Sequence, residues 1–264
     1  MTIATLNHRF DGPADAPVLI LGPSLGTELG MWDTQIPELS RHHRVLRYDL
    51  RGHGRSHPVP GTASVGDLVG DVLTLADSYG IKRFAYAGVS LGGAVGLWMG
   101  VHHSERLTAL IACCSSARFG EPQAWLDRAA TVRSQGMRQL ADTVIQRWFT
   151  PEYVRREPAA VQRILDMLYA CPPEGYAGCC DALARYDLRA ELGRIDVPTL
   201  VIGAERDPST PLEHARELAA GIPGATLVEV ADAAHLANIQ QAETVTSAMD
   251  AHLAAARSRL AAEA

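Results

Sequence analysis

The sequence predicts an α/β fold, a mostly parallel sheet flanked by helices with an all-helical insertion, and three observations carry that prediction. Apolar runs of strand length alternate with helical stretches from Val18 to Ala112 and again from Thr199 onward; this order requires right-handed crossovers and parallel pairing. Residues 117–187 between them hold helical stretches punctuated by Pro151, Pro158, Pro172 and Pro173, with no strand signal. The third is Gly88-Val89-Ser90-Leu91-Gly92, which sits between the apolar run Phe84–Ala87 and a helical run beginning at Gly93. A serine flanked by glycines two residues away on each side, at a strand-to-helix junction, is a nucleophile elbow. Side chains at 88 and 92 would collide as strand and helix close on each other.

Taken in order, Thr5–Phe10 is a short edge strand, and Asp11-Gly12-Pro13 turns the chain into Val18–Leu21, a strand buried on both faces. Gly22-Pro23-Ser24-Leu25-Gly26-Thr27 is a turn at the carboxyl edge of that strand, where open α/β sheets place their ligands. Arg44–Leu50 is the next strand. His53, between the turn glycines Gly52 and Gly54 and without an acidic partner, reads as structural. Val65, Leu68, Val69, Val72, Leu73 and Ala76 space an amphipathic helix over Ser64–Gly80, and Leu107–Ala112 is the strand after the elbow helix. In the insertion, helices are expected over Trp125–Leu140, Ala141–Phe149 and Ala159–Tyr169. Strand Thr199–Gly203, helix Leu212–Ala220, strand Ala225–Val230 and a last helix from about Ile239 to Ala256 follow, with a frayed tail past Arg257. The resulting domains are a core of residues 1–116 and 188–264 and a helical lid of residues 117–187.

The chain has 264 residues, 47% of them hydrophobic and 20% charged, within the range of one globular α/β domain. A net charge of −6 without a basic stripe argues against nucleic acid as a partner. No apolar run approaches a bilayer span and no signal-peptide pattern opens the sequence, so a cytoplasmic protein with no membrane partner is expected. Cys113, Cys114, Cys171, Cys179 and Cys180 are odd in number and fit no zinc spacing; they read as small core residues. The pairs His42-His43 and His102-His103 belong to no metal motif, so the expectation is catalysis without a metal. Arg118–Arg163 contains eight arginines against five acidic residues, so the insertion is locally positive in an acidic chain and an anionic ligand is expected beneath it.

Three candidate catalytic residues stand at strand ends in the order Ser90, Asp207, His235, the chain order of a serine, acid and histidine triad on such a sheet. Ser90 would attack, His235 would take and return its proton, and Asp207 would fix the imidazole. The expected oxyanion hole combines the N–H of Leu91, at the start of the elbow helix, with that of Leu25 in the glycine-rich turn.

On these residues the chain resembles the α/β-hydrolase superfamily throughout. More narrowly, it is similar to 3-oxoadipate enol-lactonases through Pro23-Ser24-Leu25-Gly26-Thr27 with Met31-Trp32, Gly88–Gly93, and Ala233-Ala234-His235-Leu236-Ala237-Asn238-Ile239. Two phrases of the insertion add to the match, Val132-Arg133 with Gly136-Met137 and Arg147-Trp148-Phe149-Thr150-Pro151. Pro23-Ser24 replaces the His-Gly of many superfamily members, and Glu205-Arg206 precedes Asp207 where further acids are common. The resemblance implies hydrolysis of 3-oxoadipate enol-lactone, a small anion, to 3-oxoadipate in the β-ketoadipate route of aromatic catabolism, without a cofactor. Substrate contacts are expected from Arg133, Trp148 and Ser24, with Arg133 meeting the carboxylate and Arg138 and Arg147 as its substitutes. Alternatives on the same scaffold are a small-ester esterase, a perhydrolase-type haloperoxidase and a ligand receptor; an arginine-lined pocket favours the lactonase.

Overall fold

Strands that read as uninterrupted apolar runs form the middle of one seven-stranded sheet in a computed structural model that describes residues 3–59 and 61–263. The first half of the chain runs β1 (His8–Asp11), β2 (Val18–Gly22), α1 (Ile36–Leu39), β3 (Arg44–Tyr48), α2 (Val65–Ser78), β4 (Phe84–Val89), α3 (Leu91–His102) and β5 (Leu107–Cys113). Five helices follow with no strand among the described residues: α4 (Pro122–Gln135), α5 (Arg138–Trp148), α6 (Pro151–Arg156), α7 (Pro158–Ala170) and α8 (Pro173–Ala184). β6 (Thr199–Ala204), α9 (Leu212–Gly221), β7 (Thr226–Val230), α10 (Ala237–Gln240) and α11 (Ala242–Glu263) complete the fold.

The sheet order is β1-β3-β2-β4-β5-β6-β7. Every pairing is parallel except β1 with β3, so the edge strand is the antiparallel one. All six residues of β4 are buried, as expected of a central strand covered by helices on both faces. Ser64 caps α2 in a capping box, its Oγ accepting from the Asp67 N–H while Asp67 accepts from the Ser64 N–H.

The helical insertion leaves and returns to the sheet at one point, where the Leu188 N–H donates to the Ala117 carbonyl at 2.9 Å. Its internal boundaries differ from those expected. The helix predicted over Trp125–Leu140 stops at Gln135, because Gly136 takes φ +76° and caps it by donating its N–H to the Val132 carbonyl; α5 then starts at Arg138. Two helices that periodicity does not reveal, α6 and α8, each begin on a proline that reads in the sequence as a break. A proline in the first turn of a helix loses no hydrogen bond, so it can start one as readily as stop one.

The first strand begins at His8 rather than Thr5. The C-terminal tail is not frayed, since α11 continues to Glu263. Val245, Met249, Leu253 and Ala256 carry a buried stripe along it, and Arg257 extends the anchorage by donating to His43 Nε2. The five cysteines are free and buried. Among the described residues no helix is long and apolar enough to cross a membrane.

Candidate active site

Ser90 occupies the tight turn between β4 and α3 with φ 56° and ψ −115°, a conformation that costs a non-glycine residue about 1–3 kcal/mol. The surrounding backbone holds it there. The Ser90 N–H donates to the Cys113 carbonyl at 2.9 Å, and the Ser90 carbonyl accepts from the Ala94 N–H at 2.9 Å and the Ser115 hydroxyl at 2.8 Å. The flanking glycines are required by contact rather than by their own φ. A Cβ on Gly88 would lie 2.2 Å from the Gly92 carbonyl, and one on Gly92 would lie 2.3 Å from the Gly22 oxygen.

Asp207 follows β6 and is held from four directions. Its Oδ1 accepts from the N–H groups of Ser209 at 2.7 Å and Thr210 at 3.1 Å; its Oδ2 accepts from the Thr210 hydroxyl at 2.6 Å and from His235 Nδ1 at 2.7 Å. Burial by itself would raise the pKa of this carboxyl, but the imidazole and the hydrogen bonds outweigh it and hold Asp207 below the usual carboxylate range. An ionised carboxylate only accepts, so His235 Nδ1 carries the proton and Nε2 is the basic nitrogen. His235 lies past the end of β7, and its ring stands 6.3 Å, centre to centre, from that of Trp148 in the insertion.

Ser90 and His235 open into one cavity with about 470 Å³ of empty space, its mouth included. Core residues Ser24, Leu25, Ser209 and Thr210 form its floor, and the insertion supplies Phe119, Trp125, Val144, Trp148 and Tyr176 as walls, with Arg128 and Arg147 as the charged groups. Leu25 lines the cavity, and Leu91 is the first residue of α3, so its N–H has no acceptor within the helix. The Ser24 hydroxyl is buried without a hydrogen-bond partner, while its N–H meets Met31 Sδ at 3.1 Å.

Arg133 does not reach this cavity. It lies on α4 with its guanidinium bonded to Asp181 of α8 at 2.7 Å and Glu174 at 3.2 Å, so its charge is already matched. Arg138 sits over the Tyr169 ring, also outside the cavity. Arg147 does line it and donates to the Pro208 carbonyl at 2.7 Å, beside the Asp207 turn. Arg128, which sequence reasoning did not single out, lines it too, with its guanidinium 4.6 Å from the centre of the Trp125 ring. Among the described residues neither Arg128 nor Arg147 forms an ion pair, and no carboxylate lines the cavity.

His53 is buried away from the cavity, its Nδ1 3.1 Å from the Arg51 carbonyl, and burial pushes its pKa down. Thr210 was also missed. A signal for it was present, since Asp207-Pro208-Ser209-Thr210 is an aspartate followed by turn and hydroxyl residues that bond back to it.

A serine on a strained turn, an imidazole anchored by a buried carboxylate and two amides at a helix start and a glycine-rich turn can together perform nucleophilic acyl transfer. The comparisons agree with that chemistry. Residues 18–248 match the alpha/beta hydrolase family. The chain is 39% identical to 3-oxoadipate enol-lactonase 2 of Acinetobacter baylyi, covering 93% of this chain and 92% of that protein. The crystal structure of the enol-lactonase from Burkholderia xenovorans LB400 superposes with a TM-score of 0.93 at 42% identity, over 95% of this chain and 97% of the other. A thermophilic esterase from Thermogutta terrifontis, solved with malate bound, gives a TM-score of 0.90 at 31% identity over 96% and 94% of the two chains. This chain belongs to the alpha/beta hydrolase family.

Proposed function

We propose that this carboxylic-ester hydrolase opens 3-oxoadipate enol-lactone to 3-oxoadipate in the β-ketoadipate route of aromatic catabolism. The observation that carries this reading is the shared cavity: Ser90 and His235 face it together with Arg128 and Arg147, two guanidinium groups without acidic partners among the described residues. A lactone bearing a free carboxylate supplies the missing anion, and a planar guanidinium matches a carboxylate.

In this scheme His235 Nε2 takes the Ser90 proton as Oγ attacks the ring carbonyl, and the oxyanion is met by the N–H groups of Leu25 and Leu91. Collapse breaks the ring C–O bond. The departing enol oxygen takes the proton from His235, and the enol becomes a ketone. A water, deprotonated by His235, then attacks the acyl-serine; the bond between the acyl carbon and Ser90 Oγ breaks, Oγ takes that proton back from His235, and the product leaves with its second carboxylate. Residues 117–187 act as the lid over the core of residues 1–116 and 188–264; Trp148 forms an apolar wall beside the histidine, and the Ser24 hydroxyl contacts the bound substrate. No step calls for a cofactor.

The test is a panel of lactones and esters, with and without a free carboxylate, assayed on wild type and on Ser90→Ala. Preference for the anionic lactone, abolished by Ser90→Ala, supports the reading. Faster turnover of neutral esters supports instead the second reading, a small-ester esterase, which the aromatic walls and the esterase relative favour.

A further inference from the structure

We propose that Gln240 is a positioning residue that ties the lid to the catalytic histidine, an inference that rests on the triad reading above. Gln240 ends α10, is buried and uses its side-chain amide in four directions. Its Oε1 accepts from the Thr150 N–H at 3.2 Å and from the Ala234 N–H at 3.3 Å; its Nε2 donates to the Thr150 hydroxyl at 2.7 Å and to the Asp232 carbonyl at 2.7 Å. Two of these contacts are to the lid, at the residue that caps α6. The other two hold the turn that delivers His235.

That turn needs holding. Asp232 has φ 51°, which a non-glycine side chain adopts only where its surroundings impose it. The remaining ties of the turn include the Ala233 carbonyl, which accepts from the Arg206 N–H at 2.9 Å, and the Leu236 N–H, which donates to the Trp148 carbonyl at 3.1 Å. On either side of His235, the amides of Ala234 and Leu236 are therefore satisfied by Gln240 and by the lid, and not by the sheet. Trp148, whose carbonyl takes the Leu236 N–H, is also the ring beside the imidazole and a wall of the cavity. Movement of the Trp148–Thr150 segment is transmitted to His235 through one amide side chain and one backbone bond. A displacement of about 1 Å at a reacting group is enough to lower a rate by about a hundredfold.

The test compares wild type with Gln240→Leu, which removes all four hydrogen bonds, and Gln240→Glu, which as a carboxylate keeps the two acceptances and loses the two donations. Two assays are run per folded site: steady-state kcat and KM on the preferred substrate of the panel, and the rate constant for inactivation by a small organophosphate, which needs Ser90 and His235 but no lactone. The expected result is a fall of about tenfold or more in both kcat and the inactivation rate for Gln240→Leu, with KM within about twofold and Gln240→Glu intermediate. Unchanged kcat and inactivation per folded site, or a rise in KM alone, would overturn the proposal. Should Gln240→Leu fail to fold, Gln240→Glu decides on the same two readouts. If the lactones prove not to be substrates, the inactivation arm still decides on Gln240, so an error in the substrate reading and an error here are told apart.

Discussion

The sheet domain and the helical insertion contribute to one cavity by different physical means. In the sheet domain the groups of the proposed triad stand where the backbone leaves no choice. Ser90 sits on a turn that only Gly88 and Gly92 permit, and Asp207 and His235 follow the ends of parallel strands. In the insertion the charged groups that line the cavity are long side chains on helices, and the face on which a residue falls decides whether it reaches the cavity. Arg128 and Arg133 share α4, yet five residues turn an α-helix through about 500°, leaving them about 140° apart. Arg128 faces the cavity, while Arg133 faces α8 and is neutralised by Asp181 and Glu174. Chemistry written into backbone turns can be read from spacing; chemistry written onto helix faces needs the packing.

Removing single groups from each region tests how the two differ. Ser90→Ala is expected to lower kcat by about 10⁴-fold or more while leaving the Tm within a few degrees, because a hydrogen replaces the hydroxyl and the turn is unchanged. Asp207→Asn is expected to lower kcat by about 10³ to 10⁴-fold, since an amide can donate to Nδ1 and so favour the wrong tautomer. Stopped assays on both variants, normalised to folded protein, check the two values.

In the insertion, Arg128→Met and Arg147→Met are each expected to reduce kcat/KM for the anionic lactone by about 10- to 100-fold, through loss of a charge-assisted contact, and to leave a neutral ester of similar size nearly untouched. Arg133→Met is expected to change neither substrate by more than about twofold. Its effect should appear in stability, at about 1 kcal/mol by denaturant titration, because a part-exposed ion pair is screened even though Asp181 is buried.

A smaller effect concerns pH. The Asp207 carboxyl is held below its usual range, so it contributes stability that is fully present above the unfolded value of about 4 and is lost as pH falls through its lower native value. Asp207→Asn should therefore flatten part of the decline of Tm between pH 5 and pH 2. An unchanged decline would show that other carboxylates dominate the acid limb.

The same division explains what was legible in advance. The alternation of strands and helices and the elbow were visible because strand burial and glycine contacts leave local marks, as in Phe84–Gly92. The Asp207 turn was visible too, though its Thr210 partner went unread. In the insertion, the proline at the head of α6 or α8 reads locally as a break, and similarity of the Val132-Arg133 phrase points to an arginine whose partners lie 41 and 48 residues away on another element. Gln240 could not have been found by spacing, because its four partners belong to two regions that only the fold brings together.

Arg128 and Arg147 are proposed to hold the carboxylate of the substrate that Ser90 attacks. The measurement is the ratio of kcat/KM for the lactone with a free carboxylate to that for its methyl ester, in wild type and in the Arg128→Met/Arg147→Met double variant. The expected wild-type ratio is about 100 or more, and it collapses toward one in the double variant while methyl-ester turnover persists. A wild-type ratio near one, or a large ratio that survives loss of both arginines, would contradict that role.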